Sequence, residues 1–476
     1  MYKGFWVFML SVLTGSVAIA QTNDNIAGKW YGAFKLYYGE KRRVIVELEK
    51  QDGRFKGKML LPDMGDDASL DFGTVVYRKD TLLLRNDDDG FSYTGVWDPA
   101  TQQFKGIAGF AGENSALDLG RKEISKEGLY VRPQEPKPPY PYYSQEVKFN
   151  NIKDKVTLSG TFTRPASPGK YPVVIMLTGS GPQDRNEEIS GHKPFLVLAD
   201  YFARNGIATL RFDDRGVGTS TGDYDSSNIY DFAHDAVTAM GYLKTRNDVD
   251  PQRIGLLGHS EGAMVAQIVA ANNPSVAFVV SMAGIGITGR QLVDQQVARS
   301  NSDIGESDSA VALNQQKLKP YWDLLATDSS IAVLRPKAEA IIRQLYRNSG
   351  EDVKRQMTED QMVEGALMSL TPETISILRY DPLPYLKQIK CPFMAINGTM
   401  DAQVDANANL DAIDRALTEN GNLLVTIRKF DGLNHLFQRC KTCTVNEYGE
   451  LEQTIDPLVP EFIAHWILQV PVKENR

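Results

Sequence analysis

Two rhythms of hydrophobic and polar positions divide the chain. From 26 to about 122, short apolar runs recur between Asp, Gly and Asn. The run 43–50 (RVIVELEK) alternates in part, and 54–61 (RFKGKMLL) follows Asp52-Gly53, which predicts a hairpin. Runs at 74–77, 81–85, 91–97 and 103–109 repeat the pattern. Short strands at this spacing predict a small all-β barrel or sandwich, placed at 21–125. The cluster Trp30, Tyr31, Phe34, Tyr37 and Tyr38 reads as core in preference to a ligand groove.

From 146 onward the period changes. Segments 146–150 and 156–164 read as a hairpin, and 171–177 (YPVVIML) as a buried strand. A helix at 195–204 ends at Asn205-Gly206, and a strand at 207–212 follows. Then come a helix at 231–246, a strand at 253–257, a helix at 263–271 and a strand at 277–282. This alternation predicts an α/β domain over 146–476, with a mostly parallel sheet and helices on both faces. It halts at about 290–380, which is polar and helical in pattern. Strands at 391–396 and 423–430 and a helix at 458–468 complete the series. An insertion there predicts a helical lid over the carboxyl edge of the sheet, where such sheets bind ligands. Between the two regions, 133–141 (PQEPKPPYP) predicts an extended spacer within a linker at 126–145.

Composition narrows the classes. The chain has 476 residues, 42% hydrophobic and 24% charged, with net charge −8. It carries no basic excess for nucleic acid. Residues 1–20 carry Lys3, an apolar run from Phe5 and Ala18/Ala20, a secretory leader cleaved before Gln21. The run falls short of the roughly 20 residues of a spanning helix. The expectation is therefore a secreted or periplasmic protein without stable membrane insertion. In an oxidising compartment, Cys440 and Cys443 read as a structural disulfide or free thiols rather than zinc ligands, and Cys391 as core.

The chemistry centres on Gly258-His259-Ser260-Glu261-Gly262. A G-x-S-x-G motif between a strand and a helix is a nucleophile elbow, a turn too sharp for side chains at its glycines. Ser260 needs a base, and five histidines allow elimination. His259 is within the elbow and cannot face Ser260; His234 and His465 lie in helices; His192 precedes the serine. His435, just after the last strand, remains. The acid after the penultimate strand is Asp401, with Asp405 as runner-up or helix N-cap, and Asp431 as a turn residue. The oxyanion donors are the backbone N–H of Glu261 and one from Thr178-Gly-Ser-Gly-Pro182, with Ser180 ahead of Gly181. Asp213-Asp214-Arg215-Gly216 reads as an ion pair holding a loop, and Gln183, Asp184 and Arg185 lie within substrate reach.

These motifs resemble a family of bacterial secreted α/β-hydrolases known as esterases and serine aminopeptidase-like enzymes. The resemblance rests on LTGSGPQDRN (177–186), HKPFLVLADYFARNGIATLRFDDRGVGTSTGD (192–223), GLLGHSEGAM (255–264), NGTMDAQV (397–404) and GLNHLFQ (432–438). It covers about 146–470, and the stretch from GKWYGAF (28–34) resembles the small β domain that often precedes such hydrolases. It implies the α/β-hydrolase fold and a triad of Ser260, Asp401 and His435. A Glu-Lys pair frequent in the family before the acid is Thr399-Met400 here.

The expected activity is a serine carboxylesterase acting on small-molecule esters, without cofactor or metal. Peptidase and thioesterase are the alternatives, since one triad serves all three acyl groups. A peptidase would hold the substrate amine with Glu261 or with lid acids such as Glu306 and Asp308. A rival of another class is a ligand-binding protein whose β domain does the work beside a vestigial hydrolase. A homo-oligomer is compatible with every one of these readings.

Overall fold

The computed structural model describes residues 26–35, 40–65, 68–110, 113–303 and 307–471. The leader, Tyr37, Tyr38 and Glu306 lie outside them. The chain divides into two compact units, the break falling between Leu129 and Tyr130.

The first unit is an antiparallel meander. Strands β1 (Gly28–Lys35), β2 (Lys41–Gln51), β3 (Arg54–Leu60) and β4 (Ser69–Asp71) form one sheet. Strands β5 (Thr74–Arg78), β6 (Thr81–Asn86), β7 (Phe91–Asp98), β8 (Gln103–Phe110) and β9 (Glu113–Ala116) form the other. Asp52 and Gly53 both have positive φ (51° and 80°), the two-residue turn that matches strand twist. Val44, Val46 and Leu48 of β2 alternate inward onto Trp30, Tyr93 and Phe104, all buried. Leu119 pairs with Phe104 and Gly120 with Tyr31, joining the two sheets along one side. Trp30 is core, as expected, while Tyr31 and Phe34 are only half-buried.

The second unit holds an eight-stranded sheet. Its strands are β10 (Tyr143–Asn151), β11 (Val156–Arg164), β12 (Tyr171–Leu177), β13 (Ala208–Phe212), β14 (Val249–His259), β15 (Val279–Met282), β16 (Phe393–Gly398) and β17 (Val425–Phe430). They lie in the order β10-β11-β13-β12-β14-β15-β16-β17, antiparallel as far as β13 and parallel beyond. This is the arrangement of an α/β-hydrolase. Strand β12 is buried on both faces: Val173, Ile175 and Leu177 meet one core, and Val174 and Met176 the other. Helices α1 (Pro194–Arg204), α2 (Ile229–Lys244) and α3 (Glu261–Asn272) follow β12, β13 and β14. Strand β16 begins two residues later than expected because Pro392 has no N–H to give the ladder.

Between β15 and β16 run α4 (Gly289–Asp303), α5 (Asp308–Leu325), α6 (Ile331–Arg347), α7 (Glu351–Gln356), α8 (Glu359–Met368), α9 (Pro372–Leu378) and α10 (Leu383–Leu386). The insertion has its own core around Tyr321, Leu334, Ile342 and Ile375. Helices α11 (Ala406–Thr418) and α12 (Leu458–Gln469) follow β16 and β17.

The proline-rich segment is more than a spacer. Arg132 donates to the carbonyls of Ser190, Gly191, Gly449 and Leu451. Gln134 accepts from the N–H groups of Thr454 and Ile455 and donates to the Ile455 carbonyl. Two long polar side chains thus fasten the segment to the loops at 190–191 and 449–455 of its own unit.

Candidate active site

Ser260 occupies the turn from β14 into α3 with φ 54° and ψ −116°. Such a left-handed backbone costs a non-glycine residue on the order of 1–3 kcal/mol and persists only where its surroundings impose it. The Ser260 N–H donates to the Met282 carbonyl at 2.9 Å, which ties the turn to the neighbouring strand. A Cβ on Gly258 would lie 2.1 Å from the Gly262 carbonyl oxygen, and one on Gly262 would lie 2.1 Å from that of Leu177. Both glycines are therefore steric requirements of the turn.

The loops after β16 and β17 meet beside it. His435 Nδ1 donates to Asp401 Oδ2 at 2.8 Å. Asp401 Oδ1 accepts from the N–H groups of Gln403 (2.8 Å) and Val404 (2.9 Å), so the carboxylate cannot swing away. Both residues are buried, while Ser260 is half-buried. A Cβ on Gly398 would stand 2.1 Å from the Leu433 carbonyl oxygen, so glycine there lets the acid loop and the histidine loop touch. The ring centroids of His259 and His435 lie 4.7 Å apart, which puts His435 against the elbow.

The loop after β12 runs past the same point. The ideal Cβ of Gly179 is 3.6 Å from Ser260 Cβ. Its N–H is spent on Glu187 Oε1 at 2.8 Å. The Gly181 N–H is spent on Glu373 Oε1 at 2.9 Å. Among the described residues the Ser180 N–H meets no acceptor within the protein.

Behind this loop lies a group of buried acids. Glu261 is buried at the start of α3, and its Oε2 has no donor among the described residues. The positive end of a helix favours a carboxylate by about 2 kcal/mol at most. Burial wins over that, and with Glu373 alongside it pushes the Glu261 carboxyl well above the usual range. Burial likewise pushes Asp214 up to about 8, although Thr178 Oγ1 and the Gln183 N–H donate to it. Tyr224 donates to Glu373 Oε1 at 2.7 Å. Asp214, Tyr224, Glu261 and Gly179 line a cavity of about 20 Å³, room for about one water. Glu373 lies in the first turn of α9, so the helical insertion reaches the loop after β12 directly.

Nothing in the sequence marks Glu373 apart from Thr371-Pro372-Glu373, a helix-start signature, and nothing local marks Glu187. Asp308 opens α5, and its side chain is outside the described set.

The remaining candidates are structural. Arg185 is bonded to Asp213, Glu146 and Thr161, and Arg215 to Asp235 and Asp154. Arg185 is thereby committed to the fold. The side chains of Asp184 and Gln183 cap neighbouring backbone groups. Asp405 caps α11, and Asp431 accepts from Thr399 Oγ1 in a turn. His192 is buried and hydrogen-bonded to Thr454, Gln438 and the Tyr448 carbonyl; burial lowers its pKa to about 4. Asp154, Asp231 and His234 stand close enough to suggest a metal, but the Arg215 guanidinium already lies among their carboxylates. Cys440 and Cys443 form a disulfide, and Cys391 is buried.

The model of the X-Pro dipeptidyl-peptidase (S15 family) matches residues 154–427. The chain is 27% identical to the esterase EstD of Thermotoga maritima over 363 residues, 75% of this chain and 77% of that protein. It is 38% identical to the thiohydrolase apmlB of Arthrinium phaeospermum over 143 residues, 29% of this chain and 42% of the relative. Among solved structures, the esterase Pf2001 of Pyrococcus furiosus matches 71% of this chain and 98% of its own, with 18% identity and a TM-score of 0.41.

Proposed function

The chain belongs to the X-Pro dipeptidyl-peptidase S15 family and is a hydrolase; on that premise we propose a serine carboxylesterase that cleaves short-chain esters through an acyl-serine. The observation that carries the reading is the 2.8 Å His435–Asp401 pair set against a strained Ser260 elbow.

With Nδ1 committed to Asp401, Nε2 of His435 is the basic nitrogen. Ser260 Oγ attacks the ester carbonyl and gives its proton to Nε2. The oxyanion is held by the N–H groups of Glu261 and Ser180. The C–O bond breaks, and the alcohol leaves with the proton from His435. Water, deprotonated by His435, then attacks the acyl-serine, releasing the acid and restoring Ser260. Asp401 holds the ring in register and stabilises its cation.

Acyl amides with a free amine are a second reading, favoured by the acidic pair Glu261 and Glu373 beside the elbow. Export is part of the proposal, supported by the Cys440–Cys443 disulfide. A mature N-terminus at Gln21 would test it.

The test is fluorophosphonate labelling of the folded protein, with Ser260→Ala and heat-denatured controls, then turnover of esters, thioesters and aminoacyl amides. Labelling lost in both controls with esters turned over fastest is the expected result. Well-folded protein that does not label would overturn it in favour of ligand binding by the β unit.

A further inference from the structure

His259 was set aside as a base because it lies within the elbow, yet it is among the most closely held side chains of the second unit. Its Nδ1 lies 2.8 Å from Glu187 Oε1, and its Nε2 lies 3.0 Å from the backbone carbonyl oxygen of His435. Both Glu187 and His259 are buried. A carboxylate and a carbonyl are acceptors only, so each ring nitrogen must donate. A neutral imidazole has one N–H and would set a lone pair against one of these oxygens.

We propose that His259 is a buried imidazolium, paired with Glu187, and that this pair is a positioning device clamping the three loops of the active site together. The same Glu187 Oε1 also takes the Gly179 N–H at 2.8 Å. One carboxylate therefore holds the oxyanion loop and the elbow, and the ring it charges holds the backbone of the base from behind. Glu187 keeps a positive φ of 55° to do so.

The groups facing the ring are Glu187 from the loop after β12, Asp401 from the loop after β16, the carbonyl and the imidazole of His435 from the loop after β17, the latter with its centroid 4.7 Å away, and the ring of Phe437. Burial alone would disfavour a charged imidazole. The Glu187 charge and hydrogen bond outweigh it, with smaller help from the His435 carbonyl and Asp401, and leave the pKa above its usual value. The positioning role rests on Ser260 and His435 being the reacting pair; the protonation of His259 does not.

The test joins two readouts. The first is ¹⁵N-histidine NMR of the intact protein at pH 7.5, where an ordinary imidazole is about nine-tenths neutral. His259, assigned by its disappearance in His259→Gln, is expected to show two protected ring N–H signals at imidazolium shifts. A single protonated nitrogen would overturn the proposal.

The second is Glu187→Gln, which keeps an acceptor for Gly179 but removes the charge. A misplacement of the base and oxyanion loop lowers kcat by about 10–100-fold. KM should stay within about twofold, since an interaction that acts only in the transition state lowers kcat and leaves ground-state binding unchanged. Fluorophosphonate labelling should still reach full stoichiometry at a slower rate, whereas partial unfolding would lower the stoichiometry itself. A kcat within twofold of wild type would refute the positioning role. If Ser260→Ala still labels, the catalytic reading fails instead, whatever the state of His259.

Discussion

The two units bury different chemistry. In the first, the core is Trp30, Tyr93, Phe104 and aliphatic side chains, and its few polar atoms are tied off locally: Trp30 Nε1 to the Ile26 carbonyl, Tyr93 OH to the Phe104 carbonyl. Among the described residues, every buried polar or charged one lies at Asn151 or beyond, in the second unit. An unsatisfied buried polar group costs about 1–3 kcal/mol. Beside the elbow, Glu187, His259, Asp401 and His435 satisfy one another or backbone groups, and Glu261 Oε2, with no donor among the described residues, is the atom that carries this cost.

Several measurements would break or sharpen this contrast. The largest effect is expected for Ser260→Ala, which should cut ester turnover on the order of 10⁵–10⁶-fold with melting unchanged; retention of more than a tenth of the rate would move the chemistry elsewhere. Asp401→Asn should follow, with kcat down about 10⁴-fold, because the amide can donate to Nδ1 and favours the wrong tautomer. Trp30→Ala removes the centre of the apolar core and should cost about 3–5 kcal/mol. Calorimetry should then show an early transition for the first unit, while Ser260 labelling at 25 °C continues; loss of labelling would mean the two cores are not energetically separate.

The smallest effect concerns pH. Asp214, held near 8, and Glu261, held well above its usual range, are raised acids. The unfolded chain ionises near pH 4, so the native state binds more protons above that point. Their contribution is full below about pH 4 and is lost as pH rises toward 8. Asp213 and Asp248 are lowered and act in the opposite direction near pH 4. Replacing both raised acids, as in Asp214→Asn with Glu261→Gln, should flatten the fall in Tm between pH 5 and 8 by a few degrees. An unchanged slope would show that these carboxyls do not titrate in that window.

The elbow was legible in the sequence because its glycines, serine and flanking strand and helix lie in one stretch: a Cβ on Gly258 would strike the Gly262 carbonyl within the turn itself. The pairing of Asp401 with His435 was legible through strand order. The partners of the loop after β12 were not. Glu373 reaches Gly181 across 192 positions, and Glu187 reaches His259 across 72. No local pattern encodes where packing will aim a side chain over such separations. Proline content suggests a spacer, but the fastening of the segment by Arg132 and Gln134 depends on backbone groups at 190–191 and 449–455, far along the chain.

That fastening has a mechanical consequence. Strand β10 is the edge of the large sheet and the first strand after the strap. A pull from the N-terminal side would peel an unprotected edge hairpin open one rung at a time, the weakest direction in which a sheet can be loaded. Here the load arrives first at Arg132 and Gln134, whose bonds to 190–191 and 449–455 must break together. The chain leading out of the first unit is moored before it enters the sheet, and tugging on one unit is kept from unzipping the other.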